Sequence, residues 1–315
     1  MRTDCHQHLW PEPLLDALRA RRTPPRLDGW TLYLDGEAPY VVRPADVDPV
    51  ARAERELAEG TGRVLLSFSS PLGVEHLPAA EGAPLLDAWH AGAGGLGEPF
   101  GVWAAAGVAE PDPVALAGVL EQQAVVGLQL PATALAEPAA LDRLGGLLEI
   151  LEQADLPLLV HPGPAARPQA GPRLTPAWWP AVVPYVAQMH AAWYAWHVAG
   201  RCSFPRLRVA FVALAGLAPL HHERLAARGG ALGRIDPSVY YETSSYGTRA
   251  MDATVRVTGV DALVHGSDRP YAEPTDPGLG EAFSHALFVA NPHRLLTGAA
   301  VAAARRRPVV RVAVG

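Results

Sequence analysis

The chain of 315 residues contains no lysine, so all of its basic side-chain charge rests on arginine and histidine. That absence excludes Schiff-base chemistry, a lysine general base and a carboxylated-lysine metal bridge. Cysteine is almost absent as well. Cys5 and Cys202 are too few for a disulfide framework, which fits a reducing compartment. No apolar run reaches the roughly 18 residues needed to cross a bilayer. The start also lacks the basic and apolar regions of a signal peptide, so a cytoplasmic protein with no membrane partner is expected. No basic stretch precedes the arginines at 305–307 and the net charge is −6, which argues against nucleic acid as a partner. The triplet reads as part of a short solvated tail at about 303–315.

What remains is a chain that is 49% hydrophobic and 18% charged, able to bury a large core. Eight short β-rich runs recur, at 2–9, 63–68, 100–105, 125–130, 156–161, 207–213, 238–242 and 262–266. Helical patterns lie between them at 44–59, 113–123, 138–154, 180–200, 217–228, 247–258 and 280–290, several opened by proline at the first turn. Strand alternating with helix implies parallel βα units, and eight of them predict a single-domain (β/α)8 TIM barrel over residues 1–315. A doubly wound open sheet is the alternative. A stretch at about 10–45 is too long for a simple connection and reads as a rim insertion.

A barrel predicts that chemistry lies at the C-terminal ends of its strands. The first strand ends in D-C-H-Q-H, where His6 and His8 share one strand face with Cα atoms about 6.6 Å apart. The fifth ends in L-P-L-L-V-H-P-G-P, placing His161 after an apolar run. The eighth runs into A-L-V-H-G-S-D-R-P-Y, which supplies Asp268. Four candidate metal ligands thus fall at strand ends, from three separated segments.

Those three motifs, in that order, resemble the metal-dependent amidohydrolase superfamily. More narrowly they are similar to its amidohydrolase-related branch, which includes aminocarboxymuconate semialdehyde decarboxylase, resorcylate-type decarboxylases and dicarboxylate lactonases. V-G-L-Q-L at strand four, R-L-R-V-A-F-V at strand six and the late N-P-H-R-L-L extend the resemblance over most of the chain. It implies that His6, His8, His161 and Asp268 hold one divalent metal ion. Zn²⁺ is the first expectation, and Mn²⁺, Fe²⁺ and Co²⁺ are also accepted by such a ligand set. Relatives with two metals place a carboxylated lysine or a glutamate on strand four. Gln129 stands there in this chain, so a mononuclear site is expected. The sequence departs from the branch at strand six, where A-L-A-G puts Ala213 at the position of a histidine. The expected chemistry is hydrolysis of a small carboxylated or cyclic substrate by metal-activated water, with Asp268 as ligand and base. Non-oxidative decarboxylation and a metal-binding pseudoenzyme or binding protein are the alternatives.

Other residues are assigned to the substrate and to assembly. Trp178 and Trp179, in the loop after strand five, are expected to cap the pocket, with Trp30, Tyr33 and Tyr40 of the insertion as a wall. Arg167, Arg173, Arg249 and Arg269 are the candidate clamps for a substrate carboxylate, Arg249 and Arg269 foremost. His265 precedes Asp268 by three residues and should point to the opposite strand face, while His221 and His222 read as exposed helix residues. The aromatic helix at about 185–197, or the loops adjoining it, is expected to mediate a homodimer.

Overall fold

A computed structural model describes residues 1–35, 37–165, 176–231 and 235–298. Arg167, Arg173 and the tail at about 303–315 lie outside the described residues. All eight expected strands form: β1 (Arg2–Gln7), β2 (Thr61–Leu66), β3 (Phe100–Ala105), β4 (Val125–Pro131), β5 (Leu158–His161), β6 (Val209–Phe211), β7 (Val239–Glu242) and β8 (Leu263–Val264). They pair in chain order and in parallel, giving a (β/α)8 TIM barrel. The seam between β8 and β1 is closed by backbone bonds, Cys5 N to His265 O (2.8 Å), Asp268 N to His6 O (3.0 Å) and His8 N to Arg269 O (2.7 Å). The same bonds hold the β8 loop against the end of β1, where the chemistry-bearing residues lie.

The strands are apolar because helices cover them outside and layered side chains fill the barrel inside. Leu158, Leu159 and Val160 of β5 are fully buried, so the chain can turn polar only where the strand ends, at His161. Helix starts follow the Asp-Pro rule. Asp48 Oδ1 accepts from the Val50 and Ala51 amides (3.0 and 3.1 Å) ahead of helix Pro49–Ala58, and Asp112 caps helix Pro113–Leu120 in the same way. Such a cap stabilises a helix by about 1 kcal/mol.

The boundaries differ where proline or a cap intervenes. The pattern at 44–59 is a 3₁₀ turn, Pro44–Val47, followed by the capped helix. The pattern at 180–200 is broken at Pro184, which has no amide hydrogen to continue the preceding turn. It becomes Trp179–Val182, Pro184–Ala195 and a π-turn, Trp196–Gly200. Helix Ala79–Gly94 was not read from the sequence, because Pro84 and glycines at 82, 92 and 94 obscure its stripe of Leu85, Leu86, Trp89 and Ala93. The rim insertion contains helix Glu12–Ala20 and an antiparallel sheet of Arg26–Asp28, Thr31–Tyr33 and Tyr40–Val41. No helix among the described residues is long and apolar enough to cross a membrane.

Candidate metal centre

His6, His8, His161 and Asp268 converge, with one ligand atom from each lying within 4.8 Å of the others. His6 Nε2 and His8 Nε2 are 3.1 Å apart, and Asp268 Oδ1 lies 3.7 Å and 3.2 Å from them. The three imidazoles meet edge to face, with ring centroids 4.9–5.1 Å apart. Each histidine is buried, while the Asp268 side chain is 24% exposed and is the member open to the mouth.

The surrounding hydrogen bonds fix which nitrogen each ring turns inward. His8 Nδ1 donates to the Ser67 carbonyl (2.9 Å) and His161 Nδ1 to the Pro162 carbonyl (2.8 Å), so both present an unprotonated Nε2 to the centre. His6 Nδ1 lies 3.4 Å from Glu242 Oε2, an ion-pair distance without the alignment of a full hydrogen bond. Burial holds the pKa of His8 down, and burial reinforced by the charges of His6 and His8 holds that of His161 well below the usual range. Burial opposes charge on His6 too, but the carboxylates of Glu242, Asp268 and Asp4 outweigh it and raise its pKa. Two nitrogen lone pairs at 3.1 Å repel unless a cation lies between them. The donor set therefore fits one divalent ion held by three imidazoles and a carboxylate. Among the described residues no other such cluster is found.

Backbone strain is concentrated here. Asp268 has φ +61°, and five consecutive residues from Ala213 to Leu217 are left-handed with φ between +49° and +60°. Left-handed conformation costs about 1–2 kcal/mol for each non-glycine residue, so the surroundings must enforce it. Gly216 is needed for contact, since a Cβ there would lie 2.4 Å from the Val186 carbonyl oxygen.

Several residues missed in the sequence support the centre. Glu242 ends β7, is fully buried, and accepts from Ser244 N (2.6 Å), Ser244 Oγ (2.8 Å) and Ala213 N (3.2 Å) while facing His6. It sits against Gly266, where a Cβ would fall 2.0 Å from Glu242 Oε1. V-Y-Y-E carries the same signal as L-L-V-H, a polar residue closing an apolar strand. Asp4 Oδ1 accepts from His6 N and Ser267 N, both at 3.1 Å, tying β1 to the Asp268 loop. Tyr271 packs its ring against His8 (5.3 Å), and Tyr40 packs on Tyr271 (5.9 Å).

The substrate-side expectations divide. Tyr40 reaches the mouth, whereas Trp30 and Tyr33 receive the guanidinium groups of Arg19 and Arg26 within the insertion. Arg269 is corrected: its guanidinium is occupied by the protein's own carboxylates, donating to Glu56 (2.7 Å), Glu59 (2.7 Å) and Glu273 (3.2 Å). The residue after Asp268 points away from it, so a charge adjacent in sequence became a structural ion-pair centre. Arg249 is exposed at the start of helix Thr248–Thr258 and makes no ion pair among the described residues. Trp178 and Trp179 are exposed, with ring centroids 5.9 Å apart. Trp193 and Trp196 are buried, so helix Pro184–Ala195 and the turn after it direct these tryptophans into the core, and the exposed aromatic surface of this region is that of Trp178 and Trp179 in the adjoining loop. His265 faces Asp4 (3.6 Å) and Phe288, and His221 packs on His190, so neither replaces the strand-six imidazole at the centre.

No family model and no curated protein matches the chain. Solved structures do. An IDCase from Metarhizium anisopliae aligns at TM-score 0.76 and 17% identity, over 94% of this chain and 97% of that one. The 5-carboxyvanillate decarboxylase LigW from Sphingomonas paucimobilis aligns at 0.69 and 21%, over 94% and 98%. A 5-carboxyvanillate decarboxylase from Novosphingobium aromaticivorans with bound manganese aligns at 0.69 and 14%, over 94% and 97%. Others are named amidohydrolases. At these identities the likeness is one of fold, and it is to the group of proteins that the motifs resemble.

Proposed function

We propose that this protein is a mononuclear, divalent-metal-dependent lyase that removes CO₂ non-oxidatively from a small cyclic carboxylic acid. The observation that carries the reading is the convergence of His6, His8, His161 and Asp268 at the strand ends. Similar structures whose names give a reaction are decarboxylases, which favours this reading over hydrolysis, the first expectation from the sequence.

A divalent ion held by the three Nε2 atoms and Asp268 would supply Lewis-acid polarisation of substrate oxygens. Manganese in a similar structure makes Mn²⁺ the first ion to test ahead of Zn²⁺. The chain's own residues do the rest. Ser67 and Pro162 carbonyls keep the rings of His8 and His161 in the ligating tautomer. Tyr271 and Tyr40 wall the mouth with apolar ring surface. When the bond from substrate carbon to its carboxyl group breaks, the electron pair stays on carbon and CO₂ leaves. A proton must then reach that carbon, and Asp268, the exposed member of the set, is placed to take one from solvent or from the substrate's carboxylic acid and pass it to the carbon, ending as the carboxylate again.

The test is metal analysis of purified protein, followed by CO₂ release from a panel of aromatic and heterocyclic carboxylic acids with Mn²⁺ loaded. About one ion per chain and CO₂ release from at least one acid are expected. Absence of stoichiometric metal, or hydrolysis of lactones without CO₂ release, would refute the reading. Binding with no turnover of any compound would leave the pseudoenzyme.

A further inference from the structure

The rim insertion follows β1 and the helix Pro184–Ala195 follows β5, so both belong to the face of the barrel that carries the strand ends, and the two are joined there. The Tyr185 hydroxyl, on helix Pro184–Ala195, donates to Glu37 Oε1 of the insertion. Burial, with the charges of Glu37, Tyr271 and Asp268, drives the Tyr185 pKa upward, so this hydroxyl keeps the proton that it donates to Glu37. Burial also raises the Glu37 pKa, although the bond from Tyr185 opposes it. The position of Tyr185 is fixed relative to the ligands. Gln188, one turn along, accepts from Gly163 N (2.8 Å) and donates to the Pro164 carbonyl (3.1 Å), just beyond His161.

Because Tyr185 spends its proton on Glu37, the oxygen lone pairs of both residues are what the pair can offer a ligand. A metal-bound carboxylate would be recognised at one end of the mouth and a hydrogen-bond donor at the other. We infer that Glu37 and Tyr185 form a substrate-binding pair selecting molecules that carry a hydroxyl or amino group on the side remote from the metal. This rests on the proposed function for the site's carboxylate end, and it explains why an insertion is folded over the rim.

Calorimetric titration of the Mn²⁺-loaded full-length protein with benzoate and with 2-, 3- and 4-hydroxybenzoate tests it, using wild type, Tyr185→Phe and Glu37→Ala. The wild type should bind at least one hydroxybenzoate about ten- to a hundredfold more tightly than benzoate, the range of one charge-assisted hydrogen bond. Glu37→Ala should abolish that ratio and Tyr185→Phe should reduce it, with benzoate affinity, metal content and circular dichroism unchanged. An equal ratio in all three proteins, or no preference in the wild type, overturns the inference. A protein that shows the ratio but releases no CO₂ from any acid would instead count against the decarboxylase reading and leave the pair standing.

Discussion

Replacing Glu75 by glutamine should remove the pH dependence of stability that this one carboxyl group imposes. Glu75 is fully buried, accepts a hydrogen bond from Ser70 Oγ at Oε1, and has no partner at Oε2 among the described residues. Burial, only partly offset by Ser70, pushes its pKa up from 4.5 to about 7. The folded protein therefore keeps a proton that the unfolded chain releases. The stabilisation is complete below about pH 4.5 and is lost as pH rises through about 7. The difference between those two values corresponds to about 3 kcal/mol, an upper figure for a buried group. Glutamine keeps the acceptor for Ser70 and stays neutral. Relative to wild type, Glu75→Gln should be nearly equal in stability at about pH 4 and more stable by up to that amount at about pH 8. Urea unfolding followed by tryptophan fluorescence, with both proteins at each pH, isolates the effect because every other titrating group cancels. A stability difference that does not change with pH would refute the reasoning.

Glu242→Gln should weaken metal binding by about 10- to 100-fold without unfolding the barrel, because it faces His6 rather than the metal; competition with a chelator measures this. Asp268→Asn should retain metal yet lower kcat for CO₂ release by about 10²–10⁴, since an amide ligates through oxygen but transfers no proton. Near-normal turnover at saturating metal would place the proton donor elsewhere. Arg269→Met should destabilise the protein by about 3–5 kcal/mol in urea by leaving buried Glu56 unpaired, and it should spare metal content. A homodimer, if formed, should use the exposed patch of Trp178, Trp179, Val182 and Val183 rather than Trp193; light scattering at micromolar concentration reporting a monomer would remove it.

The barrel was legible because each strand is a short apolar run ended by a polar residue, and the same property exposed His161. Patterning with period two showed that His6 and His8 share a face and that His265 opposes Asp268. What stayed hidden depends on contacts distant in sequence. Glu242 meets His6 only when barrel closure brings β7 to within one strand of β1, and Glu37 meets Tyr185 over 148 positions. Arg269 was misread because adjacency to Asp268 says nothing about direction, and the carboxylates that claim it lie mostly on the first βα unit. Helix Ala79–Gly94 was obscured by proline and glycine, whose local cost is outweighed by burying Leu85 and Trp89.

Ala213 shows how a strand corner can support a site through its backbone alone. The left-handed turn from Ala213 to Leu217 contains four non-glycine residues, each paying a steric penalty that an isolated chain would avoid. It persists because Leu214 and Ala215 are fully buried and because Gly216 passes beneath the Val186 carbonyl, which leaves no room for another path. The turn directs the Ala213 amide at Glu242 Oε2, and Glu242 in turn faces His6 Nδ1. The strand-six corner therefore acts through its backbone, holding the carboxylate that orients a ligand, and that action does not depend on which side chain stands at 213. An imidazole could be lost there without disturbing the convergence of His6, His8, His161 and Asp268. The consequence is chemical rather than architectural: His265 and His221 are both directed elsewhere and Asp268 is the member of the cluster open to the mouth, which is why the proposed reaction assigns it the proton transfer.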